Sequence, residues 1–406
     1  MKNIFTKRGQ QITRMFTNEI DILIINLRSF VQFVDKKIVL LLVFLLLFSC
    51  SRRTEQTQEY AYAEAAPYEY ILAARQLPPA PEPVIEEATT EQPEAVPAAE
   101  PPRILPRAVA IPPNARPGEP VTIALSYYFA PAALAAAAPH HQNLRAVLLD
   151  SRQRRITRAS FFSLPGEDRF KTAIIAIPST ALIGEASILI EAVDGSSAEK
   201  VKQFPFTIDY RSFLSETIYL DPVNTALRTT PDPQRTAESQ LLWQILNRTG
   251  TEIFSDGHFI RPVTATRRTS FFGSRRVFQY SDGGSDTTIH FGVDYGVPTG
   301  TEVRASGRGR VVLARSRIIT GNSVVIEHLP GVFSLYYHLN EIIVTENSIV
   351  EAGTLLGYSG ATGLATGPHL HWEIRVSGEN ADPDAFLSRP LLDKNLIIDK
   401  LMGSTP

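Results

Sequence analysis

Six of the eight histidines in this 406-residue chain lie at position 258 or beyond, and four of them stand with an aspartate in patterns that could hold a metal or move a proton. In "TGPHLHWEIR", residues 366–375, His369 and His371 are two apart at the start of an apolar run. Side chains two apart in a strand share a face, so these two would stand together while Leu370 points the other way. In "IHFGVDYG" His290 and Asp294 are four apart. A helix face would also unite them, but Gly292, Val293 and Tyr295 argue for a loop running into a strand, so a turn must bring them together. Imidazole nitrogen and carboxylate oxygen both bind zinc at about 2.0–2.2 Å, and a catalytic zinc takes three protein ligands with a fourth place open to water. His290, Asp294 and one histidine of "HLH" would make such a set. His338 ends the strand "SLYYHL" and reaches the same face if the two strands are neighbours. His258, His328 (at a strand end before a turn) and the loop pair His140 and His141 are read as non-catalytic.

The elements that must carry these residues are strands. Residues 261–386 are dense in β-branched residues and glycine turns, which predicts a compact, mostly antiparallel sheet. Further upstream, "VTIALSYYF" and "FPFTIDY" repeat apolar residues with period two, with "LRAVLLD", "KTAIIAI" and "ASILIEAVDG" between them. That spacing predicts a small β-sandwich of immunoglobulin-like type over residues 118–210. Residues 211–262 connect the two, with one helix in "DPQRTAESQLLWQILNRTG": Asp232 as N-cap, Pro233 in the first turn, Gly250 as the stop. The expected class is all-β: the sandwich, a C-terminal, mostly antiparallel β-domain over 263–390, one connecting helix and a tail over 391–406.

The remaining residues suggest a location. Residues 51–117 are rich in Ala, Pro, Glu and Gln and read as a tether unable to bury enough surface to fold. Ahead of it, "DKKIVLLLVFLLLFSCS" runs from two lysines through apolar Ile38 to Phe48, ending on Cys50, the only cysteine. Such a run is too short for a membrane-spanning helix, which needs roughly 20 residues, and matches the core of an export signal. Residues 1–50 are therefore read as an anchor segment. Leu47-Phe48-Ser49-Cys50 resembles the lipobox of bacterial lipoproteins, which implies a lipid on Cys50; the alternative is an uncleaved anchor aided by Ile20 to Phe33. The long stretch before the lysines suggests a start at a non-AUG codon at Val34, an expectation that a precursor peptide from residues 16–33 would refute. A net charge of −2, from 40 basic and 42 acidic residues, leaves no electrostatic footprint for nucleic acid.

"HFGVD", "YYHL" and "GPHLH", preceded by "SFFGSRR" and "GTEVRASGRGRVV", resemble the lysostaphin and LytM-type zinc metallopeptidases over about residues 260–386. The resemblance implies one Zn2+ per chain on His290, Asp294 and His371, with His338 and His369 as the catalytic histidines, so that the two histidines of "HLH" do different work. Zinc lowers the pKa of a bound water to about 7 and polarises the scissile carbonyl, and a histidine near its ordinary pKa can take the proton or stabilise the oxyanion. It also implies an endopeptidase acting on peptidoglycan cross-links or stem peptides. The protein would be exported and lipid-anchored on the periplasmic side of a bacterial membrane, with cell-wall or division proteins as possible partners. Relatives that lack ligands act as activators, so the alternative is a non-hydrolytic regulator of a cell-wall amidase; the complete residue set argues against it. A third reading makes the sandwich the active part, as an adhesion or scaffold domain.

Overall fold

Residues 107–126, 143–248 and 250–403 are described in a computed structural model; Cys50, the rest of the anchor segment, residues 51–106 of the tether and the loop pair His140 and His141 lie outside them. The sandwich holds β1 (Arg107–Ile111), β2 (Asn114–Ala115), β3 (Pro120–Ser126), β4 (Leu144–Asp150), β5 (Arg155–Ser160), β6 (Phe162–Leu164), β7 (Glu167–Ala176), β8 (Gly184–Asp194) and β9 (Ser197–Ile208), and the five quoted runs fall in β3, β4, β7, β8 and β9. They form two sheets, β1-β3-β7-β6 and β2-β9-β8-β4-β5. Val121, Ile123, Leu125 and Ile175 of the first sheet share one core with Leu148, Ile188, Ile190 and Phe206 of the second. Each such side chain fully removed from water contributes about 2 kcal/mol. The even positions are buried too. Ala124, Ile174 and Ala176, on the opposite face of the first sheet, pack in the same cluster as Ile374, Val376 and Phe386 of the C-terminal domain. A sheet covered on both faces reads as a near-continuous apolar run, as β3 and the end of β7 do.

Two boundaries differ from expectation. The first strand starts at Arg107, inside the stretch read as tether, and pairs with β3 from Arg107↔Ser126 to Ile111↔Thr122. Its "RAVAI" alternates only small and medium apolar residues between prolines, so composition hid it. The tail also holds structure: α3 (Lys394–Met402) buries Ile397 and Leu401, is capped by Asp393 and stops at Gly403 with φ +80°.

The connecting segment holds a strand and two helices rather than one helix: β10 (Ser215–Tyr219), α1 (Pro222–Thr229) and α2 (Pro233–Asn247). Both helices open on the same Asp-Pro signature; the Asp221 carboxylate accepts from the Asn224 amide at 2.7 Å and Asp232 from the Gln234 amide at 2.7 Å. In α1 that signature precedes only eight residues, too few for a visible apolar period. Leu242, Ile245 and Leu246 of α2 pack on Leu313, Val325, Phe333, Leu335 and Tyr337, so this helix covers one face of the C-terminal sheet.

The C-terminal domain begins with β11 (Arg268–Ser270), β12 (Arg275–Gln279), β13 (Ser285–Ile289), β14 (Gly292–Tyr295) and β15 (Glu302–Arg304). It continues through β16 (Gly309–Arg317), β17 (Gly321–Leu329), β18 (Val332–Ile342), β19 (Ile349–Val350), β20 (Leu355–Ser359), β21 (Leu370–Val376) and β22 (Glu379–Ala381). The main sheet runs β11-β14-β21-β18-β17-β16-β19, all antiparallel, while β10, β12 and β13 make a separate small sheet in which β10 joins parallel. Among the described residues no helix is long and apolar enough to cross a membrane.

Candidate metal centre

Strand alternation builds the site. In β21, Leu370, Trp372, Ile374 and Val376 enter the apolar core, which turns His371, Glu373 and Arg375 to the other face. In β14, Val293 and Tyr295 do the same and turn Asp294 outward from that core. Asp294 stands directly opposite His371 across the antiparallel pair. Cross-strand neighbours of this kind have Cβ atoms about 5 Å apart, close enough for one small ion between their heads. His290 follows β13 in the turn that leads into β14, its backbone N–H donated to the Ser274 carbonyl at 2.9 Å. So a turn and a strand unite the His-x-x-x-Asp pair, and no helix is involved.

Three atoms meet there. His290 Nε2 lies 3.0 Å from Asp294 Oδ1 and 3.0 Å from His371 Nδ1, and His371 Nδ1 lies 2.9 Å from Asp294 Oδ1. All three residues are buried, and together they form a group able to hold a metal ion. Their outer atoms fix which nitrogen carries hydrogen. The Phe271 carbonyl can only accept, so His290 Nδ1, at 2.9 Å, carries the proton and Nε2 is left as a lone pair. The Glu373 carboxylate, 3.3 Å from His371 Nε2, likewise takes that N–H and leaves Nδ1 as a lone pair. Two imidazole lone pairs and a carboxylate oxygen at 3 Å repel one another unless something positive sits among them. A tetrahedral cation with an open position fits this donor set. Without one the site takes a proton: burial alone would lower His371, but hydrogen bonds and charge from Asp294 and Glu373 raise it to about 9. Burial outweighs Asp294 at His290, which is lowered. Burial would raise Asp294, yet His290 and His371 hold it well below the usual carboxylate range.

A second ring of groups holds the three ligand candidates. Arg276 Nη2 donates to Asp294 Oδ2 at 2.7 Å, which directs Oδ1 toward the histidines. Arg375 pairs with the far oxygen of Glu373, and Tyr337 stacks on His371 with centroids 5.3 Å apart at 6°. None of these stood out in the sequence. Glu373 and Arg375 were legible in principle, because they repeat the period of "HLH" on the same strand face; Arg276 was not, since its partner lies across a turn.

His338 and His369 flank this cluster, with ring centroids 4.7 Å apart, and His369 Nε2 lies 3.9 Å from Asp294 Oδ1. Each is oriented by a backbone carbonyl: His338 Nδ1 donates to Thr362 O at 2.8 Å and His369 Nδ1 to Gly367 O at 2.8 Å. Both rings therefore keep Nε2 as the basic atom. Burial first, then the neighbouring His369 and His371, lower His338 to about 3, so its ring is neutral at pH 7. Its backbone has φ +63°, in the left-handed region that non-glycine residues rarely adopt. The two described histidines expected to be idle, His258 and His328, stand elsewhere. His258 is exposed, while buried His328 spends Nδ1 on the Arg308 carbonyl at 2.8 Å and Nε2 on the Ser334 hydroxyl at 2.7 Å.

Comparison with known proteins places this segment in a family. The model of peptidase family M23 matches residues 288–383, a span that encloses His290, Asp294, His338, His369 and His371. The chain is 39% identical over 127 residues to DD-carboxypeptidase/endopeptidase Mpg of Neisseria meningitidis, covering 31% of this chain and 28% of that protein. It is 45% identical over 89 residues to peptidoglycan DD-endopeptidase ShyA of Vibrio cholerae, covering 22% of this chain and 21% of that one. It is 28% identical over 180 residues to outer membrane antigenic lipoprotein B of Haemophilus influenzae, covering 43% and 42%. The chain thus spans only about a quarter of the length of the first two relatives. Residues 288–383 form a domain of peptidase family M23, and the segment is mostly β-strand.

Proposed function

We propose that this protein is a zinc metalloendopeptidase of bacterial peptidoglycan, with His290, Asp294 and His371 as the metal ligands and His338 and His369 as the catalytic histidines. The observation that carries the proposal is the meeting of three lone-pair donors at 2.9–3.0 Å, with each histidine tautomer set by a partner behind it. One Zn2+ held there would supply Lewis acidity toward the scissile carbonyl and toward water. The chain's own residues do the rest. His338 and His369, locked by the Thr362 and Gly367 carbonyls, hold two Nε2 lone pairs beside the ligand cluster, where one ring accepts a proton from water and hands it to the leaving amine. Arg276 keeps Asp294 correctly rotated, and Glu373 keeps the hydrogen of His371 on Nε2, which leaves Nδ1 as the lone pair.

The N-terminal sandwich is taken as an immunoglobulin-like module. Similarity to an outer membrane lipoprotein supports export and lipid attachment at Cys50, on the periplasmic side of a bacterial membrane. The test is the release of peptides from purified sacculi by the full chain loaded with zinc, against His371→Ala, across pH 6 to 9. Cleavage and zinc lost together in the variant are expected. Zinc bound without cleavage by the wild type would favour the regulator of a separate amidase, and stimulation of that amidase surviving His371→Ala would establish it.

A further inference from the structure

The clamp on Asp294 and the hydrogen-bond partner of His290 converge on one atom outside the M23 segment. Glu216 lies on β10 in the connecting segment, and β10 adds to β12 in parallel with Glu216 directly opposite Arg276. Its Oε1 accepts from Arg276 Nε at 2.5 Å and from the Ser270 hydroxyl at 2.7 Å. Arg276 then reaches Asp294 Oδ2 at 2.7 Å, and Ser270 Oγ lies 3.0 Å from His290 Nδ1. Ser270 gives its only proton to Glu216, so toward His290 it can only accept, which reinforces the Nδ1–H tautomer and leaves Nε2 free.

We propose that Glu216 is a positioning residue for the metal centre: a carboxylate from the connecting strand that orients two of the three ligands, His290 through Ser270 and Asp294 through Arg276. This rests on the metal reading above. Partners of metal ligands govern affinity because they fix ring orientation and ligand basicity, and their loss typically weakens metal binding about 10–100-fold. The arrangement also makes the connecting segment part of the site. Residues 288–383 alone contain the ligands but lack Glu216, Ser270 and Arg276.

The test measures the zinc dissociation constant of the full chain by competition with a chromogenic chelator at fixed pH, together with the melting temperature of the zinc-free form. Glu216→Ala is expected to weaken zinc about 10–100-fold. Glu216→Gln, which keeps an accepting oxygen for both donors but removes the charge, is expected to fall between it and wild type with the zinc-free melting temperature unchanged. In a Ser270→Ala/Arg276→Ala background, adding Glu216→Ala should change affinity by less than about twofold, because its route to the ligands is gone. Wild-type affinity in a folded Glu216→Ala protein, or the same loss in both backgrounds, would overturn the proposal. If Glu216→Ala does not fold, Glu216→Gln decides: unchanged affinity overturns it. Absence of zinc binding by the wild type would instead overturn the metal reading itself and this inference with it.

Discussion

Gly292→Ala tests whether the closeness of β14 and β21 is what makes the site. A Cβ placed on Gly292 would lie 2.3 Å from the Trp372 carbonyl oxygen and 2.9 Å from His371 Nε2, and Cβ contacts below 3.0 Å are essentially never seen. The first contact is with backbone in the partner strand, so it cannot be relieved by a rotamer. To reach 3.0 Å the strands must part by about 0.7 Å near Gly292↔Glu373, two positions along from Asp294↔His371. Metal–ligand distances tolerate only about ±0.2 Å, so an opening of that size removes one ligand from any common coordination shell. Overpacking of this kind costs about 1–3 kcal/mol of stability, and the loss of one of three ligands is expected to cost at least about 100-fold in zinc affinity. Chelator competition reads the affinity and chemical denaturation reads the stability. Gly257→Ala, where an added Cβ meets nothing within 4 Å, is the control. Zinc affinity within about threefold of wild type and unchanged stability in Gly292→Ala would refute the argument that this close approach shapes the centre.

Three further outcomes are expected. His338→Ala and His369→Ala should each lower kcat for peptide release by about 10²–10⁴-fold while zinc content stays at the wild-type level, and a variant that keeps full kcat has no part in proton transfer. Stripping the metal with a chelator should lower the melting temperature and abolish cleavage, and zinc at about 100 times its dissociation constant should restore about 2.7 kcal/mol; a melting curve indifferent to both treatments would contradict a metal bound to the native state. His328, lowered to about 4 by burial despite its bond to the Arg308 carbonyl, binds its proton more weakly folded than unfolded, where 6.5 applies. Its contribution is therefore complete above pH 6.5 and is lost as the pH falls toward 4, amounting to about 3 kcal/mol. Unfolding free energies of wild type and His328→Asn over that range should converge toward acid pH, and parallel curves would show that His328 does not carry the effect.

The ligand candidates were legible because they sit where local rules operate. His369 and His371 share a face by strand alternation, and the glycine and β-branched neighbours of Asp294 spoke for a strand. Five of the β-sandwich strands, β3, β4, β7, β8 and β9, were legible from their apolar runs, whereas β1, whose small residues alternate weakly between prolines, and the short β2, β5 and β6 were not. Long-range pairing was not legible. The sequence offers no hint that "SETIY" joins "RRVFQ" in parallel, since nothing in either strand names its neighbour. The same holds for α1, whose cap signature is followed by too short a run to show a helical face.

This limit has a physical basis that explains why the ligands were easier to read than their supports. A ligand set needs particular atoms at particular spacings, and histidine and aspartate are scarce enough for such spacings to stand out. A supporting group needs only an acceptor or donor of the right charge, and Glu, Arg and Ser are too common to mark a place. Their identity is set by register. Glu216 matters because the parallel pairing of β10 with β12 puts it opposite Arg276, and a slip of one residue would turn it to the other side of the sheet. The Glu216 carboxylate therefore depends on the fold of the connecting segment as much as on its own chemistry. The sandwich bears on the metal centre without touching it, because its Ser179 carbonyl accepts at 2.8 Å from Arg275, the neighbour of Arg276 on β12. Replacing Ser179 by Ala should leave this coupling intact, because Arg275 bonds the backbone oxygen there, whereas Arg275→Ala should weaken zinc binding less than Arg276→Ala does. Equal losses in the two arginine variants, read by the same chelator competition, would mean that the small sheet as a whole, rather than the Glu216–Arg276–Asp294 chain, holds the ligands in place.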